Sequence, residues 1–138
     1  MDAFDADVLI YAAVPGHPLG APVLTLFPEG PPNAAGALAG VGSTLLLPEI
    51  LTKPTRETAH EEVAALAALL ARLDLRPVDE ATAALSVALG ASYRLSSADS
   101  VHLATAVLAG ADRFVTNNRR DFSQSIEEVS VTYPADLP

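Results

Sequence analysis

Residues 95–122, LSSADSVHLATAVLAGADRFVTNNRRDF, restrict the possible folds more than any other stretch of the chain. Ser96 and Asp99 have the spacing of a helix-start capping box, with Asp where Glu or Gln is usual. The residues after them predict a helix over 100–109 that is apolar on most faces, through Val101, Leu103, Ala104, Val107 and Leu108, and therefore buried. Gly110 suits the end of that helix, and Arg113-Phe114-Val115-Thr116 reads as a strand followed by a polar loop. A buried helix leading straight into a short apolar strand is one unit of an α/β sheet, and in open α/β sheets ligands bind in the crevice outside the carboxyl ends of the strands. Asp99, at the helix start, and Asn117, Asn118 and Asp121, just past the strand, are candidates to meet in that crevice. His102 shares a helix face with Asp99 at i+3 and is within reach of its carboxylate, although a histidine satisfied within the core is the commoner outcome.

The remaining chain supplies further units of the same kind. AFDADVLIYAA near the N-terminus is a short strand with Asp5 and Asp7 at its end, followed by an apolar continuation. Two carboxylates in a hydrophobic segment are costly to bury unless paired or metal-bound, while either one is also a good N-cap for a helix starting near Val8. Residues 14–43 are rich in proline and glycine, with a short helix expected over 19–27 and a loop over 28–33. A strand is expected over 43–47, and Pro48 then places Glu49 in the first turn of a helix, where an acid is favoured by the helix dipole alone. The spacing of Val63, Leu66, Leu69, Leu70 and Leu73 predicts an amphipathic helix over 58–73. A strand over 75–78 and a helix opened by Asp79 and running to about Tyr93 come next. A last strand over 129–133 is expected at a sheet edge, with the proline-containing tail leaving the fold. Strands and helices alternate throughout, so the expectation is one α/β domain over residues 1–138, with a mainly parallel sheet of four or five strands covered by helices on both faces.

Composition removes several classes of function. The chain has no cysteine, which excludes disulfides, thiolate zinc sites and a cysteine nucleophile, and His17, His60 and His102 are too scattered for a zinc motif. No apolar run approaches the roughly 18 residues of a membrane span, and the acidic start MDAFDADV lacks the marks of a secretory signal, so a cytoplasmic location without membrane association is expected. A net charge of −9 argues against a protein that coats nucleic acid nonspecifically. It leaves room for an enzyme that holds a cation between carboxylates and meets nucleic acid through a small basic rim, for which Lys53, Arg56, Arg119 and Arg120 are placed close in sequence to the candidate site.

Under this architecture Asp5, Glu49 and Asn117-Asn118 all follow strands, and Asp99 starts a helix returning toward the same edge. One site is a more economical account than four unrelated capping roles. Three or more carboxylates in a cleft suit Mg²⁺ or Mn²⁺, hard cations that take oxygen ligands and activate water against a phosphodiester.

In the segments FDADVLIYA, LLLPEIL, DEATAALSVALGASYRLSSADSVHLATA and GADRFVTNNRRDF, in that order, the chain resembles the PIN-domain ribonucleases and among them the VapC-like toxins of toxin–antitoxin pairs. The resemblance implies a three-layer α/β/α sandwich and an acidic site that binds Mg²⁺ or Mn²⁺ for endoribonucleolytic cleavage of RNA. It also implies a small antitoxin partner and a homodimer. It places the first family acid on Asp5, with Asp7 where an asparagine or similar residue often stands, the central glutamate on Glu49 and the third acid on Asp99. The family's Thr-Asn-Asp is Thr116-Asn117-Asn118 here, so an amide stands at the fourth acidic position, and Asp121 is the carboxylate able to compensate if the loop folds back. Asn118 thus motivates an alternative, a catalytically weakened module that binds RNA or protein without cutting. A small phosphatase or receiver-like domain would need a lysine after a late strand, and the chain has none beyond Lys53.

Overall fold

The computed structural model describes residues 1–29 and 38–138. Its five described strands form one parallel sheet in the order β3-β2-β1-β4-β5, from β1 (Asp2–Phe4), β2 (Gly40–Ser43), β3 (Leu73–Arg76), β4 (Arg113–Val115) and β5 (Ser130–Thr132). Six described α-helices cover it: α1 (Ala6–Ala13), α2 (Gly20–Leu24), α3 (Leu46–Arg56), α4 (His60–Leu70), α5 (Glu80–Tyr93) and α6 (Ser97–Leu108). None of the helices among the described residues is long and apolar enough to cross a membrane.

The period-two alternation of a strand divides the core into two layers. Ala3 and Phe114 point to one face and pack with Leu89 of α5 and Leu103, Ala104 and Ala106 of α6. Phe4 and Val115 point to the other face and pack with Val8, Val23, Ile50 and Leu66 from α1, α2, α3 and α4. The result is the expected three-layer α/β/α sandwich. Caps set the helix starts as the sequence predicts: Asp79 Oδ1 accepts from Thr82 N at 2.8 Å, and Ser96 Oγ accepts from Asp99 N at 3.2 Å. Gly110 follows α6 at φ +70°, a conformation open to glycine.

Several boundaries depart from the sequence expectation. The strand expected over 43–47 is Gly40–Ser43, and Leu46 and Leu47 already belong to α3. β1 packs so close that a Cβ on Gly40 would lie 2.0 Å from the carbonyl oxygen of Asp2, so a poor strand former is required there. Ser43 Oγ accepts from Leu45 N at 3.0 Å and turns the chain from strand into helix. The third strand begins at Leu73, two residues before the expected start, because α4 ends at Leu70 and the buried Leu73 pairs with Gly40. The helix expected over 19–27 is confined to Gly20–Leu24. The loop expected over 28–33 lies largely outside the described residues. The C-terminal tail does not leave the fold: Pro134–Asp136 forms a 3₁₀ turn, and Leu137 is buried in the core beside α2 and Val115.

Candidate metal centre

The strand order reverses around β1, since β2 and β3 lie on one side of it and β4 and β5 on the other. The crevice outside the carboxyl ends of β1 and β4 is therefore the expected ligand position. An open cleft of about 380 Å³ lies there, lined by Asp5, Ala6, Asp7, Tyr11, Glu49, Asp99, Asn117 and Asn118. Asp5, Glu49, Asp99 and Asn118, the four positions given by the family pattern, share one cavity.

Asp5 joins β1 to α1. Its backbone N–H continues the sheet by donating to Val115 O at 3.0 Å, and its carboxylate Oδ1 accepts from Ala6 N at 2.8 Å. The side-chain hydroxyl of Thr116, the residue after β4, donates to Asp5 Oδ2 at 2.7 Å. Asp5 is only 5% exposed, and burial raises its pKa above the ordinary value, with the Thr116 hydrogen bond opposing that shift. Asp7 is tied to the backbone at both oxygens, by Val8 N at 2.7 Å and Asn117 N at 3.0 Å. Burial, with the charge of Asp5 adding to it, pushes the Asp7 carboxyl up to about 7.

Asp99, in the first turn of α6, is also pushed up by burial and then by the charge of Asp5. Glu49, in the first turn of α3, is held from the side: His102 Nε2 lies 2.6 Å from Glu49 Oε2. The ring is buried, as the commoner of the two sequence readings has it, and the carboxylate it meets is Glu49 where the other reading named Asp99. His102 sits on the buried side of α6, where an acid from a different helix meets it.

Asn118 lines the cleft, but its amide closes its own loop. Asn118 Oδ1 accepts from Asp121 N at 3.3 Å, Asn118 Nδ2 donates to Asp121 Oδ2 at 3.1 Å, and Phe122 N donates to Asn118 O at 2.9 Å. The loop does fold back, yet Asp121 is held against Asn118 and is not a lining residue of the cleft. Of the basic candidates, Lys53 and Arg56 are exposed in the last turn of α3, beyond Glu49. Arg119 lies over the Tyr133 ring at 4.3 Å, and Arg120 is exposed, 3.8 Å from Asp121.

The donor chemistry suits a hard cation. The acids lining the cleft offer only oxygen, and burial together with the charge of neighbouring carboxylates disfavours the ionised forms of Asp5, Asp7 and Asp99 until a positive charge enters. Among the described residues no three Asp, Glu or His side chains converge closely enough to hold an ion by themselves as they stand. Two lining residues, Ala6 and Tyr11, lay outside the sequence expectation. Tyr11, a turn after Asp7 in α1, looked like part of an apolar run, and its i+4 spacing from Asp7 was the available signal.

A family model described as PIN domain matches residues 3–125. The chain is similar to one chain of a solved toxin–antitoxin complex from Klebsiella pneumoniae, with 27% sequence identity and a TM-score of 0.72, covering 97% of this chain and 98% of that one. No curated protein matches.

Proposed function

We propose, from the premise that this chain belongs to the PIN-domain family, that it is a metal-dependent endoribonuclease and the toxin of a toxin–antitoxin pair. The observation that carries this reading is the set of four acids, Asp5, Asp7, Glu49 and Asp99, along one cleft at the sheet's carboxyl edge. Asp5, Glu49 and Asp99 would hold Mg²⁺ or Mn²⁺, and such a cation supplies an activated water and neutralises charge on the phosphodiester under attack. Thr116 holds Asp5, and Asn117 holds Asp7, so β4 orients both acids that follow β1. Asn118 and Asp121 shape the loop at the cleft mouth, and Lys53 and Arg56, with Arg119 and Arg120, provide positive charge for RNA phosphates. The likeness to a chain of a toxin–antitoxin complex supports a small antitoxin as partner, and we extend the reading to a cytoplasmic homodimer.

Purified protein with Mg²⁺ or Mn²⁺ should cut single-stranded or structured RNA, and Asp5→Ala or Asp99→Ala should lower the rate by at least about 10²–10³-fold, the range seen when a group stabilising transition-state charge is removed. Variants that cut as fast as the wild type would show that the site is misassigned. The occupied amide of Asn118 favours a second reading, a weakened module that binds without cutting. Asn118→Asp separates the two, since a large gain in cleavage supports the weakened module and an unchanged rate supports a competent site.

A further inference from the structure

Building on the metal-centre reading above, we infer that His102 is a positioning residue for that centre: it holds Glu49 Oε2 and leaves Oε1 as the oxygen of Glu49 able to serve a cation. Glu49 follows the exposed Leu47 and Pro48 on the outer side of α3, with a side chain one-third exposed, whereas the His102 side chain is 1% exposed. A long flexible acid is thus fixed by a rigid ring that the core already immobilises. Among the described residues no backbone N–H donates to the Glu49 carboxylate, unlike those of Asp5 and Asp7. His102 Nδ1 is buried and without a hydrogen-bond partner among the described residues, so Glu49 is the one polar group there that holds the ring. With Nε2–H as donor to Glu49, Nδ1 is left as an unprotonated nitrogen, a smaller burden than a buried N–H with no acceptor. His102 also lies one turn along α6 from Asp99, so a single helix carries one acid of the cleft and the group that orients another. Partners of this kind, which touch a ligand and not the metal, commonly control metal affinity by about 10–100-fold.

The test is Mn²⁺ binding by the full chain, followed by calorimetry and by the Mn²⁺ electron paramagnetic resonance signal without RNA. His102→Ala should weaken binding by about 10–100-fold, and His102→Gln, which restores an N–H donor, should recover most of it. In a Glu49→Ala background His102→Ala should cause no further loss. A His102→Ala protein that binds like the wild type, or that loses further affinity without Glu49, overturns the assignment. If His102→Ala does not fold, the ring nitrogens of the wild-type histidines are followed by nuclear magnetic resonance during Mg²⁺ addition. His102 Nε2 should shift in step with saturation while His60 stays constant, and a His102 signal that ignores saturating Mg²⁺ overturns the assignment. A wild type that binds neither ion overturns the metal-centre reading along with this one, whereas a wild type that binds with His102 indifferent overturns this one alone.

Discussion

Asp5 and Asp7 on one side of the cleft, and Glu49 and Asp99 on the other, carry the same chemical group and are oriented by different means. On the first side every carboxylate oxygen accepts a hydrogen bond from a backbone N–H or from Thr116, and those donors belong to the first turn of α1 and to the two residues that follow β4. The acids there are placed by the backbone where the sheet passes into α1. On the second side the acids stand on the first turns of α3 and α6, and Glu49 is placed by one side chain, His102. A site of this design has a rigid wall and an adjustable one. Damage to the rigid wall should register as lost stability, and damage to the adjustable wall as lost cation affinity.

The largest stability effect should come from Thr116→Val, which leaves Asp5 Oδ2 buried without its donor. Loss of about 1–3 kcal/mol is expected, measured by urea unfolding, and a value near zero would break the contrast between the walls. Next is a pH effect centred on Asp7. Its folded-state pKa, near 7, is raised above the ordinary 3.8, so the folded state binds the proton more tightly and is penalised once the group must ionise. Metal-free stability should therefore fall as pH rises from about 4 through 7, by about 1–2 kcal/mol after allowance for partial exposure. Asp7→Asn should flatten that slope, and Mg²⁺ should raise the melting temperature more at pH 8 than at pH 6; a metal-free protein most stable at pH 8 contradicts this. On the adjustable wall, Asp99→Asn should weaken Mn²⁺ binding while raising metal-free stability by about 0.5–1 kcal/mol, because it removes one of the charges crowding Asp5. A clear loss of stability would make this wall as structural as the other. The smallest effect belongs to the rim: replacing Lys53 and Arg56 by Ala should reduce the salt dependence of RNA binding by about 0.7 per charge in logarithmic slope, as for single-stranded contacts. An unchanged slope would remove both from the RNA path.

What was legible in the sequence tracks the same division. The rigid wall and the sheet could be read because their signals are local: Asp5 at the end of β1, the caps at Asp79 and Ser96, Gly110 after α6, and alternating core residues such as Phe114 and Val115. β2 was displaced because Gly40 is fixed by the approach of another strand, a tertiary reason that overrides strand propensity. The place of His102 in the core was legible, but its partner was not, because i+3 spacing points along one helix while the acid it meets is 53 residues away. The tail was read as departing because Pro134 to Pro138 carries loop residues, yet Leu137 finds a place in the core that only the folded sheet creates.

The position of β1 has a consequence for when the cleft can exist. The strand that precedes the other described strands along the chain occupies the middle of the sheet, and Asp5 and Thr116, like Asp2 and Arg113, are partners across 111 residues. Parallel pairing over such a separation closes a long loop before any contact rewards it. While the chain is still on the ribosome short of β4, Asp5 lacks both its Thr116 donor and the adjacent strand. Whatever chemistry the cleft performs therefore begins only after β4 has emerged, so that a truncated product carries the acids without the site.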